Sequence, residues 1–158
     1  MIKEFWKLIK MLFATHPSDF IYKDMDVIDM RHFPFKKYKA MSWCGRIIHR
    51  VGSSEVNDKT IAHEKIHLMQ AVACNDSWIR YYLSYAWNWL RHGLFAPISA
   101  NYYVNKYESE AYANDEKTGY CDDYDGSNLK KYKIKNAKKL YKQLGGTSKA
   151  WKEYVKSL

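Results

Sequence analysis

Residues 60–70 read TIAHEKIHLMQ, which places His63, Glu64 and His67 in the spacing His-Glu-x-x-His. For a chain of 158 residues with six histidines, composition predicts about 0.01 accidental copies of that pattern, so coincidence explains it poorly. Its surroundings are helical. Asn57 and Asp58 suit a helix N-terminus, and Ile61, Ala62, Ile66, Leu68, Met69, Val72 and Ala73 continue without Gly or Pro until Asn75 and Asp76. The spacing predicts a helix over about 58–75. At about 100° per residue, His63 and His67 lie about 40° apart and one turn from each other, so both imidazoles can reach one ion. Apolar residues cover most other sides, as expected of a helix running through the middle of a small domain. Lys65 is the exception and must reach solvent. Gln70 falls within about 20° of His63, where it can support a ligand or simply bond to backbone. The bland alternative for the histidine pair is a hydrogen-bonded core cluster.

A zinc site on such a helix needs a third protein ligand and keeps a fourth position for water. Residues 105–115, NKYESEAYAND, form a second helical segment that Asn105 can cap and Gly119 can end. Within it Glu110 and Asn114 stand at i and i+4 on one face. Glu110 is therefore the expected metal ligand, with Asn114 accepting from the free N–H of a ligating imidazole. Glu108 competes from about 160° away and has Tyr112 rather than an amide at i+4. An acid near a helix start also favours the helix dipole without any metal.

HEKIH followed by SEAYAND resembles the gluzincin arrangement of thermolysin-like metallopeptidases, whose downstream motif is Glu-x-x-x-Asp. It also resembles small bacterial zincin-like proteins that pair His-Glu-x-x-His with a Glu-Ala-Tyr-Ala stretch. Asn114 stands where the thermolysin-like enzymes have Asp, and 42 residues separate His67 from Glu110. The resemblance covers roughly residues 40–118 and implies a zincin-like domain. Its metal would be zinc, held by His63, His67 and Glu110. Glu64 would be the general base, and the substrate a peptide or protein. Such a site hydrolyses by activated water, with Glu64 moving a proton to the leaving amine. Tyr102, Tyr103, Tyr112 and His92 all remain open as donors to a developing oxyanion. A zinc-binding module without catalysis is the alternative, and a basic nucleic-acid or membrane-surface binder is a third reading.

Upstream, residues 38–51, YKAMSWCGRIIHRV, are rich in β-branched and aromatic residues and precede the turn-like GSSEVND. They form the best strand in the chain, with Gly45 marking a bulge or a close backbone approach. One strand region among helices predicts an α+β fold, mostly helical, with a small β-sheet. Apolar residues make up 47% of the chain and aromatics 16%, enough for one ring-rich core. With no repeat or low-complexity linker, residues 1–158 read as a single domain. Cys44, Cys74 and Cys121 are odd in number and lack Cys-x-x-Cys spacing, so they read as free thiols in a reducing, cytoplasmic setting.

The N-terminal MIKEFWKLIKMLFATHPSDF is broken by Lys7 and Lys10 and shows no small-residue cleavage site. It reads as an amphipathic helix with Phe5, Trp6, Ile9, Leu12 and Phe13 on one side, docked on the core or, alternatively, lying on a membrane surface. Residues 77–90, SWIRYYLSYAWNWL, carry Arg80 and Asn88 and are too short to span a membrane, which predicts a buried helix and no transmembrane segment. The net charge of +9 is concentrated late: ten lysines lie between Lys130 and Lys156 against one acid, Glu153. Residues 128–158 read as a helical hairpin broken at Gly145-Gly146. Its lysines form either a solvated face or a contact surface for lipid, nucleic acid or acidic substrate. The acidic CDDYDG at 121–126 lacks EF-hand spacing and reads as a solvated loop.

Overall fold

The computed structural model describes residues 2–33, 38–92 and 98–158, and its fold is α+β, mostly helical with one small sheet. The chain groups into two compact units, Met1–Arg80 and Tyr81–Leu158. The boundary falls inside the helix Trp78–Leu90, a stretch with no Gly or Pro, so composition carries no trace of it. Among the described residues, no helix is long and apolar enough to cross a membrane.

The first unit opens with helix α1 (Ile2–Ala14) and a short 3-10 turn, Pro17–Phe20. Three strands follow, β1 (Val27–Met30), β2 (Ala40–Trp43) and β3 (Arg46–Arg50), in the order β1-β3-β2. Strand β1 runs parallel to β3 with Val27 opposite Ile47, and β2 runs antiparallel to it with Trp43 opposite Arg46. The segment expected as one strand is thus a hairpin, turned over Cys44-Gly45. Both turn residues have positive φ, 49° and 73°, the signature of a tight two-residue turn whose twist matches its strands. Glycine is required at position 45 for space as well. A Cβ there would lie 2.4 Å from the Phe20 ring, over which the Arg46 guanidinium also sits at 4.9 Å. Strand β1 escaped the sequence reading because four residues containing one acid give little alternation to detect.

The central strand β3 buries Ile47 and Ile48 completely, each side chain contributing about 1.5–3 kcal/mol by leaving water. Ile48 packs with Leu8 of α1, Met30, and the partly buried Met11, Met41 and Trp43. Trp43 also donates its indole N–H to the Leu8 carbonyl at 2.8 Å. Helix α1 therefore docks through Leu8 and Met11. The Phe5, Trp6 and Phe13 side chains, expected on its docking side, are exposed instead.

Helix α2 (Asp58–Ala73) carries the histidine motif. Asn57 caps it, accepting from the Thr60 N–H at 3.0 Å, and Cys74 ends it. The helix packs against the Pro17–Phe20 turn and β2. Residues 66–71 are buried without a break, in keeping with the near-continuous apolar pattern.

The second unit holds most of α3 (Trp78–Leu90), then α4 (Ile98–Tyr103), α5 (Lys106–Asn114), α6 (Ala137–Gln143) and α7 (Ser148–Lys156). Its core gathers Val104, Ala113, Tyr132, Ala137, Tyr141, Trp151 and Val155. Helix α7 packs on α5, and Trp151 donates its indole N–H to Ser109 Oγ at 3.1 Å. The C-terminal hairpin is α6 and α7, joined through Gly145 and Gly146, both at positive φ. It begins later than position 128 because residues 127–130 form only a 3-10 turn. Helix α3 is not the buried helix its sequence predicts. Tyr81 and Asn88 are buried, while Leu83 and Trp87 stand in solvent.

Candidate metal centre

Helix α2 presents His63 and His67 as expected, one turn apart. Their rings meet edge to face, with centroids 4.9 Å apart and planes at 84°. Both are buried, as is Glu64 between them in the chain. The His67 ring is oriented by Gln70, whose Oε1 lies 2.8 Å from Nδ1. An amide oxygen can only accept, so Nδ1 carries the proton, and in the neutral ring Nε2 keeps a lone pair that can bind a cation. Gln70 thus meets the histidine face to which its helical phase assigns it.

Helix α5 begins under its own cap, Asn105 Oδ1 accepting from the Tyr107 N–H at 3.2 Å. Its two acids go to different surroundings. Glu110, fully buried, accepts from the Tyr120 hydroxyl at 2.9 Å through Oε1 and from the Tyr124 hydroxyl at 2.8 Å through Oε2. Burial and the adjacent Glu110 carboxylate push the Tyr120 hydroxyl far above its usual range, so it stays a donor. Asn114 donates from Nδ2 to the Glu110 carbonyl at 2.8 Å and to the Tyr132 hydroxyl at 3.0 Å. Glu110 and Asn114 are thus both engaged in a tyrosine network of the second unit.

His63, His67 and Glu108 form a buried group whose ligand atoms all lie within 4.8 Å of one another. Two imidazoles and a carboxylate are a donor set suited to a divalent transition metal, and this group can hold one. Glu108 is itself positioned by Tyr85, whose hydroxyl donates to Oε1 at 2.8 Å. Burial first, and the Glu108 charge second, raise the Tyr85 hydroxyl well above its usual range. Tyr102 is raised the same way by burial and Glu108, and its hydroxyl accepts from the Tyr112 hydroxyl at 3.4 Å. Sequence reasoning missed Tyr85, one of several tyrosines along α3 with nothing local to distinguish it.

His16, His32 and His49 have partners of their own. His16 Nδ1 lies 3.2 Å from the Asp76 carbonyl, and His32 Nδ1 lies 2.9 Å from Glu4. His49 lies between Asp29, 2.7 Å from Nδ1, and Ser53 Oγ, 3.0 Å from Nε2. That order of groups is the one found in nucleophile triads, but the Ser53 proton is committed elsewhere. Ser53 Oγ donates toward the Arg50 carbonyl at 2.7 Å, and His49 Nε2 also faces the Ser54 carbonyl at 3.2 Å. A hydroxyl spent on backbone does not act as nucleophile, and the constellation clips the turn between β3 and α2. All three cysteines are free thiols.

No family model, curated protein or solved structure matches the chain.

Proposed function

We propose that the chain is a zinc-dependent peptidase, with His63, His67 and Glu108 as ligands and Glu64 as general base. The observation that carries this reading is the buried group of two α2 histidines and one carboxylate, with a second carboxylate, Glu64, between the histidines in the chain. A core cluster of histidines has no need of that second acid, and burying an ionisable carboxylate without a task is costly. The reading resembles a gluzincin site in its first motif and differs in which glutamate completes it.

When bound, the ion supplies Lewis-acid polarisation of a substrate carbonyl and acidifies a water to a pKa near about 7. The chain's own residues do the rest. Glu64 accepts the water proton and returns it to the departing amine. The Gln70 bond to His67 Nδ1 holds the imidazole in the ligating tautomer, and the Tyr85 bond to Glu108 holds the carboxylate. Tyr102, Tyr103, Tyr112 and His92 stay open as donors to the oxyanion.

The test is a paired measurement of metal content and hydrolysis. Wild type is expected to hold about one zinc per chain and to cleave members of a peptide library. Glu64→Gln should keep the zinc and lose about two to four orders of magnitude in rate. Full zinc occupancy without hydrolysis of any peptide would favour a non-catalytic module. Undiminished cleavage by Glu64→Gln would refute the mechanism.

A further inference from the structure

Helix α1 shows an outward apolar face that nothing in its own unit covers. Ile2 is 71% exposed, Trp6 58%, Phe13 74% and Phe5 47%. At about 100° per residue these four, with Ile9, fall inside an arc of roughly 100°. Leu8 and Met11, the residues that dock on the sheet, face away from it. An arrangement of this kind is not the leftover edge of a core helix, because the largest apolar side chains are the ones left outside.

The flank of the same helix carries Lys3, Lys7 and Lys10, all exposed. The one acid of the helix, Glu4, is turned back onto the fold. Its Oε1 accepts from the Arg31 N–H and its Oε2 lies 2.9 Å from the His32 ring. The outer surface of α1 is therefore apolar and cationic with no exposed acid on the helix. Aromatic rings beside lysines are what an interfacial helix needs: rings at the headgroup level, lysine stems lying along acyl chains and ammonium groups among phosphates. A protein partner would have to match the same narrow stripe with its own apolar groove and acids, whereas a bilayer with anionic lipid supplies both by composition.

We propose that α1 is a peripheral anchor that lays Ile2, Phe5, Trp6, Ile9 and Phe13 into an anionic lipid surface, with Lys3, Lys7 and Lys10 on lipid phosphates. This attachment is independent of the metal centre. The probe is the full chain with vesicles of phosphatidylcholine alone or with about 30% phosphatidylglycerol, in co-sedimentation. Binding is expected only to the anionic vesicles, weakening at least about tenfold as salt rises from 0.1 to 0.5 M. Trp6→Ser with Phe13→Ser should abolish it while the far-ultraviolet circular dichroism is unchanged. Trp6→Phe should still bind but lose the extra fluorescence quenching that bromine-labelled acyl chains produce in wild type, a readout that a merely structural helix would not move. Failure to bind anionic vesicles overturns the proposal. So does binding that survives the Trp6/Phe13 substitutions, which would assign it to the lysines of residues 130–156. Self-association lost in the double substitution without lipid binding would make a second copy the occupant and equally overturn it.

Discussion

Replacing Glu108 and Glu110 one at a time by Gln separates two buried glutamates only two residues apart. Glu108 lies with His63 and His67, and its Oε1 accepts from Tyr85 at 2.8 Å. Glu108→Gln keeps the size and can keep the Tyr85 bond, yet removes the negative charge and the anionic atom proposed to hold the metal. Loss of groups that merely support metal ligands costs about 10–100-fold in affinity, so loss of a ligand should cost at least about 100-fold, or about 2.7 kcal/mol at 1.36 per decade. Glu110 instead holds two tyrosine hydroxyls at 2.9 and 2.8 Å. Glu110→Gln converts two bonds to a charged acceptor into bonds with an amide whose nitrogen cannot accept. The expected cost is about 1–3 kcal/mol of folding stability, with zinc affinity nearly unchanged. Competition against a chromophoric chelator reads the first quantity, and denaturant unfolding in excess chelator reads the second. If Glu110→Gln sheds zinc more readily than Glu108→Gln, the assignment of the third ligand is wrong.

Gln70→Met removes the acceptor that orients His67 and should lower zinc affinity by about 10–100-fold, measured by the same competition, with little change in metal-free stability. Gly45→Ala forces a Cβ into the Phe20 ring at positive φ and should cost about 2–4 kcal/mol; unfolding within about 1 kcal/mol of wild type in urea would contradict the tight-turn account. His92 is held down to a pKa of about 4 by burial, then by Arg91 and Lys138. Its folded value lies below its unfolded one, so the stability it contributes is complete above about pH 6.5 and is lost as pH falls towards 4. Because the ring is only part-buried, the loss is on the order of 1–2 kcal/mol, and His92→Gln should flatten the metal-free unfolding profile across that window.

Much of the site's first half was legible in the chain because it is local. His63 and His67 meet since a helix repeats every 3.6 residues, and Asn57 and Asn105 cap because their side chains reach backbone two or three residues on. The same locality explains the readable α+β class. Wherever the answer depended on rotation of an element about its own axis, sequence left it open. The outward turn of α1 is one case: an apolar arc announces that a helix has two faces, not which of them finds the sheet.

Sequence alone determined the α2 helix, its histidine pair with Glu64 and Gln70, the basic C-terminal hairpin and the free cysteines. The tertiary structure alone gave Glu108 and Glu110 their different surroundings, Tyr85 on the first and Tyr120 and Tyr124 on the second. That difference turns on the rotation of α5, which is set by Trp151 bonding Ser109 and Tyr132 bonding Asn114, partners 42 and 18 residues away. It also decided that residues 40–50 fold as a hairpin, because the Cys44-Gly45 turn is stabilised by Phe20 packing over it rather than by a turn dipeptide of strong local preference. Short-range periodicity is written into the chain residue by residue, whereas the rotation of a helix and the folding back of a strand are fixed by side chains that meet only once the whole unit has closed around them.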